Sequence, residues 1–418
     1  MTYDVAVIGG GSSGLMAAIS ASEFGAKTVL LEKGTKLGSK LMISGGGRCN
    51  VTNRLPLEKI VENIPGNGKF LYSAFSVFNH EDIIAYFEQM GIALKEEDHG
   101  RMFPVTNSAK SVVDTLVHHL RQNGVEMKLN SAVRTIDYGD EYHVMSMENG
   151  DTIQAKAIVV AVGGKSVPNT GSTGDGYPWA QKAGHTITKL YPTEVALTSN
   201  EPFIKKKLLQ GISLRNVALT VLNKRNKPIV THEMDMIFTH FGISGPATLR
   251  CSQFVVKQLW KQEAVTMEID LLPKVHKDAL FNNIRTYTKV HPKRTVKNMI
   301  KELTDAPERF VLLLFTRIEL EEQLNVSHVS NEMINKLVHE IKHFSFAVHG
   351  SLSIEKAFVT GGGISTKEIV PNTMESKKMP RLFFCGEILD IHGYTGGYNI
   401  TAALVTGRLA GMNAAFYQ

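Results

Sequence analysis

The stretch that decides the fold is Asp4-Val5-Ala6-Val7-Ile8-Gly9-Gly10-Gly11-Ser12-Ser13-Gly14-Leu15-Met16-Ala17-Ala18-Ile19-Ser20-Ala21. Val5 to Ile8 are apolar without alternation, as in a strand buried on both faces. Leu15 to Ala21 are small and mostly apolar, as in a helix packed closely on a sheet. Between them, Gly9, Gly11 and Gly14 satisfy G-x-G-x-x-G. That spacing gives a tight turn, a close backbone approach to a pyrophosphate, and close packing of helix on strand. The helix start, at Ser12 and Ser13, offers N–H groups and a positive dipole end to phosphate. A second strand, Lys27-Thr28-Val29-Leu30-Leu31, ends at Glu32, 23 residues after Gly9. A carboxylate there can accept both hydroxyls of an adenosine ribose. The same loop also reads Gly10-Gly11-Ser12-Ser13-Gly14, formally the G-x-S-x-G elbow of hydrolases. That elbow should follow several earlier strands and an oxyanion loop, whereas here it stands at residue 10, after a single strand. The hydrolase reading fails.

At 418 residues the chain exceeds the ~250–300 residues at which one core stops growing, so two or three domains are expected. Hydrophobic residues at 43% and charged residues at 21% exclude a disordered chain. The apolar run Phe310–Phe315 is six residues, where a membrane span needs about 20. No membrane span is expected. Nor is a signal peptide, because a strand begins almost at once with no basic region before it. Three separated cysteines, Cys49, Cys251 and Cys385, exclude a disulfide scaffold, a Cys-x-x-Cys pair and a Cys-only zinc site. A cytoplasmic protein is the expectation. The 46 basic and 40 acidic residues leave +6, with Lys205-Lys206-Lys207 the densest block. A solvated face accounts for such a balance; nucleic acid is the residual reading.

Glycines cluster at 9–14, 45–47, 163–176, 361–363 and 386–397, while 190–350 is poor in them. One ligand-binding domain made from both termini and interrupted by an insertion fits this distribution. Glu32 favours an adenosine without a 2′-phosphate, and NAD and FAD stay open at this point. The rest of the chain separates them. Ile158–Val162 is a second apolar strand, ending in Gly163-Gly164. Arg381–Cys385 is another, ending in Gly386-Glu387, and Gly393-Tyr394-Thr395-Gly396-Gly397-Tyr398-Asn399-Ile400 opens a helix. A site built from opposite ends of a chain suits FAD, whose flavin lies far from its adenine. The acid would hold ribitol hydroxyls, and the second helix start would face the electron-rich edge of the reduced flavin. The fold class expected is α/β, a Rossmann-like domain with a parallel sheet.

Gly38-Ser39-Lys40 with Ser44-Gly45-Gly46-Gly47-Arg48-Cys49-Asn50-Val51-Thr52-Asn53, then Gly100–Pro104, Phe238–Pro246 and Thr395–Asn399, form an ordered set. It resembles the bacterial NAD(P)/FAD-dependent oxidoreductases related to aminoacetone oxidase and the bile-acid-inducible flavoprotein. Gly386-Glu387 also resembles the fumarate-reductase branch of flavoproteins. The resemblance implies an FAD domain from 1–190 and 355–418, a β-rich insertion at 191–272 re-entered at 341–354, and a helical subdomain at 273–340. Alternation in Val217–Leu222 and helical periodicity in Met333–Glu340 agree with that division.

The candidate cofactor contacts are Gly9, Gly11, Ser12, Ser13, Gly14, Glu32, Lys33, Lys40, Arg48, Asn50, Val133, Gly163, Gly164, Gly386, Glu387, Gly396, Gly397, Tyr398, Asn399 and Ile400. Arg48 and Asn50 would meet the flavin or its pyrophosphate. Cys49 lacks a resolving partner and reads as a small buried hydrophobe. Candidate catalytic residues are His240, in an aromatic-His-Gly loop that the resemblance places over the flavin, and His392 and Tyr394, before the last glycine turn. Each also has a plain structural reading. No histidine or carboxylate group has metal-ligand spacing. NAD(P)H lacks a second dinucleotide motif, since Gly361-Gly362-Gly363 does not continue as one. The expected activity is hydride exchange between flavin and a small organic substrate, an amine, aminoketone or activated C=C. An FAD-dependent RNA-modifying enzyme and a non-catalytic flavin redox sensor are the alternatives. Oligomeric state is not legible.

Overall fold

A computed structural model of the chain describes residues 2–417. The chain forms two compact units, residues 1–191 with 358–418, and residues 192–357. The first is built on a seven-stranded sheet. Four strands run parallel in the order Glu126–Lys128, Thr28–Leu31, Thr2–Ile8, Thr152–Val160. The late strand Leu382–Phe384 also pairs in parallel with Thr152–Val160, Leu382 opposite Ile158. His143–Met147 and Val133–Asp137 extend the sheet in antiparallel fashion. Val5, Ala6 and Val7 are fully buried, as the unalternating sequence requires of a strand covered on both faces.

The helix Ser12–Glu23 is buried along most of its length, and so is the C-terminal helix Tyr398–Ala414. They cross in direct backbone contact. A Cβ on Gly407 would lie 2.3 Å from the Ser13 carbonyl oxygen, and one on Gly411 2.1 Å from that of Ala17. Only glycine permits this approach, and it brings the two ends of the chain into one domain.

The second unit is a seven-stranded antiparallel sheet. Its long hairpin joins Ser213–Leu222 to Pro228–Phe238. The helices Lys277–Val290, Val296–Thr304, Glu308–Ile318 and Asn331–Lys342 share one hydrophobic core with these strands. Phe203, Phe238, Phe310 and Phe344 meet there at ring separations of 4.9–6.2 Å. The strand-rich and helical segments, distinct in sequence character, therefore form one unit. No helix among the described residues is long and apolar enough to cross a membrane.

Candidate functional site

The glycine loop adopts the geometry its spacing requires. Gly9 has φ +103°, and a Cβ there would lie 2.6 Å from the Ala161 carbonyl oxygen; one on Gly14 would lie 1.8 Å from that of Gly9. A Cβ on Gly11 would meet nothing within 4 Å. Two of the three glycines are fixed by packing, and the third leaves a cradle before a helix start that has no side-chain cap. The strands Thr2–Ile8, Thr28–Leu31, Thr152–Val160 and Leu382–Phe384 are mutually parallel along the sheet. Gly9, Glu32, Gly163 and Gly386 therefore all follow carboxyl ends on one edge, the place where open α/β sheets bind ligands.

Glu32 does a second job that the sequence did not reveal. Its Oε2 accepts the Gly10 N–H at 2.7 Å and its Oε1 accepts the Gly34 N–H at 2.7 Å. It braces the loop while keeping lone pairs for a ligand, since a carboxylate has about four acceptor sites. Beside it, Lys33 Nζ donates to Thr173 Oγ1 at 2.5 Å and Asp175 Oδ2 at 2.6 Å. Val133 begins its strand two residues after Ser131, whose N–H donates to the Glu32 carbonyl.

Glu387 and Lys40 form a connected charged pair. Lys40 Nζ lies 2.7 Å from Glu387 Oε2 and 2.8 Å from Ser166 Oγ. Glu387 Oε1 accepts from Ser166 Oγ at 2.9 Å and the Thr360 N–H at 2.7 Å. Burial pushes this carboxyl upward, but the adjacent Lys40 and the donated hydrogen bonds outweigh it and hold it below 4.5. Gly164 packs on Thr360, whose Oγ1 accepts the N–H groups of Lys165 and Ser166. A Cβ on Gly386 would lie 2.4 Å from Ser13 Oγ, so the late segment adjoins the first helix start.

The 44–53 segment meets the last helix. Thr52 Oγ1 and Thr401 Oγ1 are 2.8 Å apart, and Asn53 Nδ2 donates to the Gly396 carbonyl at 3.0 Å. Asn50 is buried, and its Oδ1 has no hydrogen-bond partner in the protein. It lies 3.0 Å from the position of a Cβ on Gly397, the residue before a helix with no side-chain cap. Asn399 fixes the glycine turn, accepting the Gly393 N–H at 2.7 Å and donating to the carbonyls of Gly393 and Tyr394. Tyr398 is buried and Ile400 half-buried on the first turn of this helix.

Arg48 has protein partners that its place in the sequence does not announce. Its guanidinium grips both Glu97 oxygens, at 2.9 and 3.1 Å, and lies 4.1 Å from the Phe103 ring centroid. A carboxylate and an aromatic face together are strong attractors for a planar cation. Cys49 is fully buried, and burial pushes its thiol up to about 12. His392 is also buried: its Nε2 is 2.8 Å from the Tyr191 hydroxyl, and its backbone pairs with Gly66. Tyr394 is buried, with its N–H on the Asn63 carbonyl. In the second unit, His240 is exposed at a tight turn, edge-on to Phe241 at 4.9 Å. Thr239 Oγ1 accepts the N–H groups of Phe241 and Gly242 and so fixes that turn.

The first unit fits a flavin dinucleotide. It offers an open glycine cradle, two helix starts without side-chain caps, and a buried carboxamide oxygen lacking a partner. Among the described residues no cluster of histidine, cysteine or carboxylate could hold a metal.

The sequence profile described as HI0933-like protein Rossmann domain matches residues 3–413. The chain belongs to that family. It is 30% identical over 408 residues to the ribosomal RNA dihydrouridine synthase of Escherichia coli K12, covering 95% of this chain and 94% of that one. It is 31% identical to the Haemophilus influenzae protein of the same name, over 94% of each. It is 27% identical to the 3-dehydro-bile acid delta(4,6)-reductase of Clostridium scindens, over 98% of each. The fold is shared with a flavocytochrome c3 fumarate reductase, at a TM-score of 0.54 and 20% identity, covering all of this chain and 78% of that one. This HI0933-like protein is an FAD-dependent oxidoreductase.

Proposed function

We propose that this HI0933-like protein reduces a carbon–carbon double bond conjugated to a carbonyl, and that the bond is C5=C6 of a uridine in ribosomal RNA. The observation that carries this reading is the near full-length likeness to two ribosomal RNA dihydrouridine synthases. The bile-acid reductase relative carries the same chemical theme, saturation of a C=C. FAD, when bound, supplies the hydride. The chain's own residues position and protonate. The Gly9–Gly14 loop receives the pyrophosphate, Glu32 the adenosine ribose, and Asn50 with the start of helix Tyr398–Ala414 the flavin end. His240 delivers a proton to the carbon next to the carbonyl. The site of action would be cytoplasmic, with the ribosome.

The test is anaerobic incubation of reduced protein with an unmodified rRNA transcript, followed by nucleoside mass spectrometry. The expected product is a uridine two mass units heavier. No such nucleoside, together with rapid reoxidation by a steroid dienone, would replace the RNA reading with a small-molecule reductase, which the likeness to the bile-acid enzyme would then support.

A further inference from the structure

The charge of the molecule is divided unevenly. Of the 46 basic and 40 acidic residues, 23 and 17 lie in 192–357, so that unit carries the whole +6. The unit with the glycine cradle has 23 of each and is neutral. Besides the exposed run Lys205-Lys206-Lys207, one surface of this unit gathers cations from two elements. The turn Asn223-Lys224-Arg225-Asn226-Lys227 joins the two long strands, with Lys224 to Lys227 exposed. It is rigid: Asn223 Oδ1 accepts the N–H groups of Arg225 at 2.8 Å and Lys227 at 3.1 Å, and the Asn226 N–H donates to the Asn223 carbonyl. Lys224 Nζ donates to the Lys261 carbonyl at 2.9 Å, joining the turn to the end of helix Pro246–Leu259. Next to Lys261 stands Trp260, 43% exposed, with Lys257 one turn before it. Glu263 is the exposed acid of that connection.

We infer that this hairpin tip and helix end form a docking surface for RNA, the cations holding phosphates and Trp260 stacking on an unpaired base. The inference rests on the RNA reading above and names the surface that reading requires. Cations projecting from a stiff turn are matched to a regularly charged backbone. An exposed indole among them suits the splayed bases of single-stranded RNA.

The distance to the chemistry supports a long ligand. His240 follows the far end of strand Pro228–Phe238, which is 11 residues long. At about 3.3 Å per residue the two ends are separated by roughly 30 Å. Charges that far apart are screened several times over, since the Debye length is about 8 Å at physiological ionic strength. The patch therefore has no electrostatic leverage on a small substrate near His240. A polyanion can occupy both places at once.

The experiment uses the full-length flavin-loaded protein and an rRNA fragment, with binding measured across a salt series. Lys224→Glu, Arg225→Glu and Lys227→Glu together should weaken binding on the order of 10²-fold at 0.15 M salt and flatten the log–log salt slope by about 2. Flavin absorbance and reoxidation by free uridine monophosphate should be unchanged, while KM for RNA rises and kcat holds. Trp260→Ala should weaken binding about tenfold with the salt slope intact, and Trp260→Phe should restore it. RNA reduced and bound normally by the triple variant would overturn the surface and leave the RNA reading standing. RNA bound through the patch without dihydrouridine formation would sink that reading and keep the surface. A wild-type protein that neither binds nor reduces RNA would end both. Loss of binding only to phosphatidylglycerol vesicles would reassign the patch to a membrane and overturn the proposal.

Discussion

The two units handle negative charge by opposite means. The neutral unit holds 32 of the 36 glycines, and the basic unit holds four. In the first, the cradle at Gly11 and the uncapped helix starts present backbone N–H groups, so a pyrophosphate can be held without a net positive field. In the second, Lys224, Arg225 and Lys227 present whole charges from a turn. Backbone recognition fixes one ligand in one pose; side-chain charge tolerates many sequences and long ligands. The division suits an enzyme with a resident cofactor and a visiting polyanion.

The most severe way to break the contrast is at Gly14. Its Cβ position is 1.8 Å from the Gly9 carbonyl oxygen, so Gly14→Val forces backbone apart at the loop itself. We expect no flavin-loaded protein, read as a colourless preparation with an early unfolding transition. A yellow, normally stable variant would mean that the loop geometry is not needed for FAD. The matching change in the basic unit is His240→Ala. It should keep full flavin content yet slow substrate-dependent reoxidation by ~10²–10⁴-fold if His240 moves a proton. Loss of flavin from this variant would erase the division between the units.

Much of this was legible because it is local. Strand, glycine loop, helix and acid lie within residues 4–32, and their meanings depend on spacing alone. What stayed hidden depends on distance along the chain. Lys40 and Glu387 are 347 positions apart, and Ser166 lies between them in sequence. Nothing near Arg48 in sequence announces Glu97 or Phe103 as its partners. Gly407 and Gly411 were readable in principle: a small-x-x-x-small spacing in an apolar helix marks a close crossing. The helices after residue 273 read as a separate body because helical periodicity says which face is buried, not against which strands.

Lys40→Met tests the charged cluster. It leaves Glu387 largely buried without its cation, a change that costs about 3 kcal/mol at pH 7. The sign with pH follows from the lowered carboxyl of the wild type. Stability from Glu387 is fully present above its unfolded value near 4.5 and is lost as pH falls through the lower folded value. In Lys40→Met, burial raises the carboxyl instead, so acid relieves the variant first. The gap in urea midpoint between the two proteins should therefore shrink from pH 7 to pH 4. A gap that widened would show that Lys40 acts elsewhere.

Glu32→Ala should weaken FAD retention by about 1.5–3 kcal/mol, the scale of hydrogen bonds to a charged group. That is roughly ten- to hundredfold in dialysis-resistant flavin. FAD bound as tightly as before would confine Glu32 to bracing Gly10 and Gly34.

The smallest effect is expected at Cys49, and it bears most directly on how the cofactor unit works. Cys49 stands in the middle of the 44–53 segment, has φ +61°, and donates its N–H to the Ser44 carbonyl at 3.0 Å. A thiol pushed up to about 12 by burial is uncharged at pH 7–8. It is neither a nucleophile nor a ready redox partner for a flavin. Alanine has the same left-handed strain, so Cys49→Ala isolates the packing of one sulfur, on the order of 1 kcal/mol. Turnover should stay within about twofold, and iodoacetamide should leave the native thiol unmodified at pH 8. Rapid alkylation, or a tenfold fall in turnover with flavin retained, would place a reactive side chain in this unit.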